Sequence, residues 1–143
     1  MHATLVAAGA DGVLLRGPSG SGKSDLALRL LAAPRSWRLV ADDQVLVSRI
    51  GERVVGTAPT TLAGQLEVRG VGIVAVAHAT SADIRLIIDL VPRDQVPRLP
   101  EPEFSDLLGL PIPCFRLHAF EVSAPDKVGL LLQQVVASEI DKN

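Results

Sequence analysis

Eight consecutive residues, Gly17-Pro18-Ser19-Gly20-Ser21-Gly22-Lys23-Ser24, fill every fixed position of the pattern Gly-x-x-x-x-Gly-Lys-Ser/Thr. Such an octet demands a strand before it and a helix after it. Its glycines let successive backbone N–H groups turn inward on phosphate oxygens. The N-terminus of the following helix adds partial positive charge. Lys23 then has the reach for the β- and γ-phosphates of a nucleoside triphosphate, and the Ser24 hydroxyl suits Mg²⁺. All eight residues are expected to bind nucleotide.

The flanks agree. Thr4 to Ala8 reads as a strand, Ala10-Asp11-Gly12 as a turn, and Val13-Leu14-Leu15 as a second, buried strand. Asp25 to Ala33 reads as a helix with Leu26, Leu30 and Ala33 on one face. Pro34 stops it. Farther on, strands are expected at Leu39 to Ala41, at Leu66 to Val68, at Ile73 to Val76, at Ile84 to Val91 and at Ile112 to Leu117. A hairpin is expected across Gly51-Glu52 (Val45 to Ile50, Arg53 to Gly56), and a helical turn over Thr61 to Gly64. Val96 to Pro102 reads as a loop. Pro125 opens a last helix, Asp126 to about Ile140, with an apolar stripe of Val128, Leu131, Leu132, Val135 and Val136. Strands outnumber helices and do not alternate with them regularly. The expected fold is therefore α/β with a mixed, largely antiparallel sheet and few helices, rather than a doubly wound one.

Composition narrows the function. The 143 residues suit one domain and are 48% hydrophobic, so a core can be filled. Only 3% are aromatic, the net charge is −2, and acidic and basic residues are mixed. Nucleic acid binding, which needs a positive face and stacking platforms, is not expected. Apolar runs such as Val71 to Ala77 are too short to span a bilayer. No signal peptide is seen, and a cytoplasmic setting without membrane attachment is the expectation. Cys114, the one cysteine, reads as a small apolar residue. His78 and His118 read as structural or surface residues.

A phosphate loop needs a metal carboxylate, commonly at the end of an apolar strand. Leu39-Val40-Ala41-Asp42-Asp43 and Leu86-Ile87-Ile88-Asp89 both offer one. Neighbours on a strand point to opposite faces, so Asp42 and Asp43 can both serve the site only if the strand ends there. A carboxylate so placed can take the proton of a serine hydroxyl. In Glu67-Val68-Arg69-Gly70-Val71-Gly72, Glu67 and Arg69 share a strand face, and the glycines permit a sharp bend. A surface hairpin and a metal carboxylate both remain open for that stretch.

Taken together, His2, Gly17 to Ser24, Val40-Ala41-Asp42-Asp43 and Glu67-Val68-Arg69-Gly70-Val71-Gly72-Ile73 resemble the catalytic domain of bacterial HPr kinase/phosphorylase. The order and approximate spacing match from His2 to Val76, about half the chain. The resemblance implies a phosphate-loop fold like phosphoenolpyruvate carboxykinase. It also implies ATP- and Mg²⁺-dependent phosphorylation of a serine on an HPr-type phosphocarrier of the sugar phosphotransferase system, reversed in many members by phosphorolysis. It implies a homo-oligomer, a hexamer in the family. With the chain opening at Met1-His2, the whole of 1–143 resembles the short, single-domain form of some alphaproteobacteria.

Residue by residue, His2 matches the family histidine ahead of the loop. Lys23 and Ser24 match the phosphate-binding lysine and metal-binding hydroxyl. Asp43 matches the proton acceptor, with Asp42 beside it as a possible aid to metal or substrate. Glu67 matches the metal-binding glutamate, with Arg69 close by. Arg98 is the best match for a later catalytic arginine. One departure stands out. The family's Pro-Gly-Arg-Asn-like stretch, tied to dephosphorylation, is replaced by Val122-Ser123-Ala124-Pro125-Asp126-Lys127, in which Lys127 is the cation. A small-molecule kinase on the same scaffold, or a non-catalytic nucleotide-binding regulator, are the alternatives.

Overall fold

A computed structural model describes residues 1–32 and 36–141. Ten strands and two α-helices are found among them: β1 (Thr4–Ala8), β2 (Asp11–Arg16), α1 (Lys23–Leu31), β3 (Trp37–Ala41), β4 (Leu46–Ile50), β5 (Arg53–Thr57), β6 (Gln65–Val68), β7 (Gly72–Ala75), β8 (Ser81–Leu90), β9 (Phe104–Leu107), β10 (Leu110–Leu117) and α2 (Ala124–Asp141). The main sheet runs β3-β1-β2-β8-β10-β9. Its β2–β8 and β8–β10 pairs are parallel, whereas β1–β2, β1–β3 and β9–β10 are antiparallel. The antiparallel β4–β5 hairpin joins through β5 to the start of β8, and β6–β7 is a separate hairpin. The expected mixed, largely antiparallel α/β architecture is what forms.

Both faces of the sheet are buried, which is why its central strands are nearly continuous apolar runs. Val6, Val13, Leu15, Leu86, Ile88 and Leu90 face α1 and α2, meeting Leu26, Leu30, Val128 and Leu132. Leu5, Leu14, Val40, Ile84 and Ile87 face the other way, with Val45 and Val54 of the β4–β5 side. Along β8 the alternation slips one position at Arg85. There the pairing jumps from Gly12↔Ile84 to Val13↔Leu86, the mark of a bulge.

Several boundaries differ from the sequence reading. The first turn lies at Gly9-Ala10, and β2 starts at Asp11, because Gly9 takes φ 63° and closes a two-residue hairpin pairing Ala8 with Asp11. Helix α1 starts two residues early, at Lys23, because Leu26 N already bonds Gly22 O at 2.9 Å. The helical turn expected over Thr61 to Gly64 is a 3₁₀ segment at Thr60–Leu62, and a second such segment stands at Arg93–Gln95. Strand β9 was not anticipated. It is a four-residue edge strand with an exposed Phe104, too short for an alternation signal. Ala33 and Pro34 lie outside the described residues. Among those described, no helix is long and apolar enough to cross a membrane.

Just beneath the phosphate loop, the ends of β2 and β8 are tied side to side. Arg16 donates from Nε to Asp89 Oδ1 at 2.8 Å and from Nη2 to Oδ2 at 3.0 Å, and Cys114 Sγ lies 3.3 Å from Oδ2. Burial raises the affinity of Asp89 for a proton, but the bonds from Arg16 and Cys114 and the nearby guanidinium outweigh it. The net result is a pKa below the usual carboxylate value. The same burial, with the carboxylate beside it, pushes the Cys114 thiol up to about 11. This cysteine is therefore a packed thiol held protonated. A carboxylate whose folded pKa is lowered adds stability in full above its unfolded pKa of about 3.9, and loses it as pH falls through the folded value. Urea unfolding between neutral pH and about pH 3 is expected to show this acid-side loss. Asp89→Asn is expected to be less stable at neutral pH and to show a shallower slope below about pH 4. Coincident curves would mean that the pair contributes nothing to folding.

Candidate active site

The phosphate loop turns from the end of β2 into α1. Gly20 and Gly22 hold φ of 83° and 100°, the left-handed region that glycine enters without steric cost. Space is a second constraint. A Cβ on Gly22 would sit 2.6 Å from Ala119 Cβ, and one on Gly17 would sit 2.5 Å from Ser21 Oγ. Ser21 N donates to Pro18 O at 3.0 Å and closes the loop. No side chain caps α1 at Gly22. The N–H groups of its first turn have no partner within the helix, which suits an anion.

The Lys23 ammonium donates to Gly17 O at 2.6 Å and to Pro18 O at 3.1 Å, and the residue is buried. It therefore spans the carbonyls of its own loop. A phosphate would give it charged acceptors in the same place.

Strand β3 ends at Ala41, as both carboxylates require if they are to share a site. Asp43 takes φ 69°, a region that Asp tolerates better than most residues. As a result Asp42 and Asp43 line one cleft. Asp42 is buried and takes three donors: Thr4 Oγ1 at 2.9 Å and Ser24 Oγ at 2.8 Å on Oδ1, and the Glu67 amide at 3.4 Å on Oδ2. Asp43 is exposed, and its Oδ1 lies 2.6 Å from His2 Nε2. His2 is held there by backbone pairing with Gln44 and by the bond from Ala3 N to Asp43 O.

Glu67 projects from β6, and Arg69 stands in the turn to β7. Gly70 and Gly72, at φ 86° and 113°, make that sharp turn possible. The cleft encloses about 610 Å³. Its walls include His2, Lys23, Ser24, Asp42, Asp43, Glu67 and Arg69, all anticipated from sequence, together with Ser19, Gly20 and Gly22 of the loop. Gly17, Pro18 and Ser21, also anticipated, do not line it.

Two anticipated residues are not brought in. Arg98 is exposed at a bend and does not line the cleft. Lys127, on the first turn of α2, gives its ammonium to Glu121 Oε2 at 2.6 Å and also stands outside. This contact is the main cause holding the Glu121 carboxyl below its usual pKa. Asp89, the rival strand-end carboxylate, is occupied by Arg16. His78 is exposed, and His118 Nδ1 lies 3.0 Å from Val91 O, so both have structural surroundings. Sequence reasoning missed Thr4, Leu28 and Phe120. Thr4 had a faint signal, as the one hydroxyl in an apolar strand. Phe120 had only its rarity.

No group of three or more His, Cys, Asp or Glu poised to hold a metal occurs among the described residues. The donors at hand are the Ser24 hydroxyl and the Asp42 and Glu67 carboxylates. They are all oxygen, which fits Mg²⁺ completed by phosphate oxygens and water.

Known proteins resemble this chain in sequence and fold. The family model for the HPr serine kinase C-terminal domain matches residues 1–128. HPr kinase/phosphorylase of Ralstonia nicotianae is 35% identical over 151 residues, covering 98% of this chain and 45% of that protein. The Bordetella pertussis protein of the same name is 38% identical over 143 residues, covering 92% and 45%. The chain thus spans about half the length of the curated relatives it matches. The solved structure of the Hpr(Ser) kinase/phosphatase from Coxiella burnetii superposes with a TM-score of 0.76 at 25% identity, covering 99% of this chain and 90% of that one.

The two loop glycines make a controlled comparison. A Cβ on Gly20 meets nothing within 4 Å, whereas one on Gly22 meets Ala119 and Phe120. Gly20→Ala is expected to cost about 1 kcal/mol of stability from backbone strain alone. Gly22→Ala adds a clash and is expected to cost about 2–4 kcal/mol. Chemical denaturation of both variants measures the difference, and equal losses would show that Ala119 simply moves aside.

Proposed function

The chain belongs to the HPr serine kinase C-terminal domain family, and on that premise we propose that it transfers the γ-phosphoryl group of ATP to a serine hydroxyl of an HPr-type phosphocarrier protein. The observation that carries this reading is the convergence of Lys23, Ser24, Asp42, Asp43 and Glu67 on one cleft.

In this reading the loop amides and the start of α1 hold the phosphates. Lys23 leaves the carbonyls of Gly17 and Pro18 and neutralises charge on the moving group. Asp43 orients the acceptor serine and takes its proton as the new O–P bond forms and the bond to the bridging oxygen of ADP breaks. His2 fixes one oxygen of Asp43, leaving Oδ2 for the hydroxyl. Ser24 and Glu67, with Asp42 behind Ser24, would hold Mg²⁺, which supplies positive charge against the phosphate oxygens. Arg69 is close enough to assist at the cleft wall. Arg98 stands outside the cleft and carries no part of the step. A cytoplasmic setting fits such a substrate. Exposed Leu46, Ile50, Phe104 and Leu108 fit a self-associating chain, and light scattering reads that directly.

The decisive experiment incubates the chain with Mg²⁺-ATP, with and without an HPr-type protein, and follows ADP release and phosphoserine. Partner-dependent formation of both is expected. ADP release only with a small-molecule acceptor would point to another kinase on this scaffold. Binding without turnover would point to a regulator.

Two variants separate binding from chemistry. Lys23→Ala is expected to abolish both ATP binding and transfer. Asp43→Asn is expected to keep ATP affinity within a few-fold and lower turnover by roughly 10²–10⁴. Unchanged turnover in Asp43→Asn would remove it as the base.

The reverse reaction sets a free phosphate beside a phosphoserine, so cations must offset two anions. Lys127, the cation at the place of the family's arginine stretch, is already engaged by Glu121. Phosphorolysis is therefore expected to run at under about a tenth of the forward rate. Pyrophosphate release from phosphorylated partner, Mg²⁺ and excess phosphate measures it. Release as fast as the forward reaction would mean that another group supplies the charge.

A further inference from the structure

One part of the cleft is not used by the reaction just described. Its acidic end gathers His2, Asp42, Asp43 and Glu67, and there the transferable phosphate must lie. The rest of a nucleotide has to leave the phosphate loop in the other direction. Beside the loop stands an exposed apolar side chain, Phe120 at 54% exposure. Phe120 is one of three phenylalanines in a chain with no tyrosine and one tryptophan, and it lines this cleft beside the loop.

The ring is positioned rather than loose. A Cβ on Gly22 would lie 3.0 Å from Phe120 Cζ and 3.2 Å from Cε1, so the ring rests against the bare backbone at the start of α1. His118 meets it edge-on, with centroids 5.7 Å apart and planes at 71°. Arg29 of α1 fixes the segment that carries it, bonding the carbonyl oxygens of Ala119 and Glu121. An exposed ring held on two sides next to phosphate-binding amides offers a flat apolar face to whatever follows the phosphates.

We propose that Phe120 seats the nucleobase of the phosphate donor. The inference rests on the kinase reading above and deepens it. Stacking on an aromatic face is tolerant of base identity and is worth about 5- to 150-fold in affinity. The site therefore selects a nucleoside triphosphate over a bare polyphosphate without strict choice among bases.

The test compares Mg²⁺-ATP with inorganic tripolyphosphate by calorimetry on the wild-type chain, Phe120→Ala, Phe120→Trp and, as a control away from the cleft, Val122→Ala. Wild type is expected to prefer ATP. Phe120→Ala is expected to bind ATP about 10-fold or more weakly with tripolyphosphate unchanged, which also reports an intact loop. Phe120→Trp and Val122→Ala should keep the preference. The inference is overturned if wild type shows no preference, if Phe120→Ala retains it, or if both ligands weaken equally, since the ring would then only brace the loop. It is also overturned if Phe120→Ala changes only KM for the partner protein, which would make the ring a docking contact. Failure of wild type to bind either ligand would sink the kinase reading itself.

Discussion

The site depends on one buried carboxylate. Asp42 is 9% exposed, and burying a charged group is costly unless hydrogen bonds replace its water. Its three donors come from three elements: Thr4 on β1, Ser24 on α1 and the Glu67 amide on β6. Asp42 itself stands just past β3. One side chain thus fixes where the helix start, the sheet edge and the small hairpin meet. The order of these contacts matters for chemistry. Because Asp42 is consumed in holding Ser24 and Thr4, Asp43 is the carboxylate left exposed and available, and the chain reaches it only through the positive φ at that residue.

Asp42 and Asp89 show how far sequence carries the argument. Both end apolar strands, and both read as candidate metal ligands. Their difference lies in what stands beside them. β8 lies between β2 and β10, so Asp89 is in register with Arg16 on one side and Arg116 on the other, and the Arg16 guanidinium claims it. β3 is an edge strand beside β1, so the chain past Ala41 is free to turn toward the start of α1. Lateral neighbours are a property of sheet order, which no local pattern encodes. The phosphate loop, by contrast, was fully legible, because its glycines answer to local backbone and steric demands. The same split explains the fold. Long apolar runs such as β8 were found, while the bulge at Arg85 and the short edge strand β9 are set by partners distant in sequence. Arg98 and Lys127 were named by likeness of position alone, and the geometry leaves both outside the cleft.

In this structure the polar groups of the site are largely satisfied from within. Lys23 donates to carbonyls of its own loop, Asp43 meets His2, and Ser24 meets Asp42. His2 and Asp42 keep their places in the proposed reaction, whereas the partners of Lys23 are weaker than the one it would bring. Neutral carbonyls give way to phosphate oxygens, and charge-assisted bonds are roughly twice as strong as neutral ones. The exchange therefore costs little reorganisation, which is the condition under which fixed dipoles and charges stabilise a transition state best. Two contacts brace the glycine-rich loop. The Lys23 ammonium links Gly17 and Pro18 from inside, and the packing of Gly22 against Ala119 and Phe120 holds it from outside. A phosphate displaces only the inner brace.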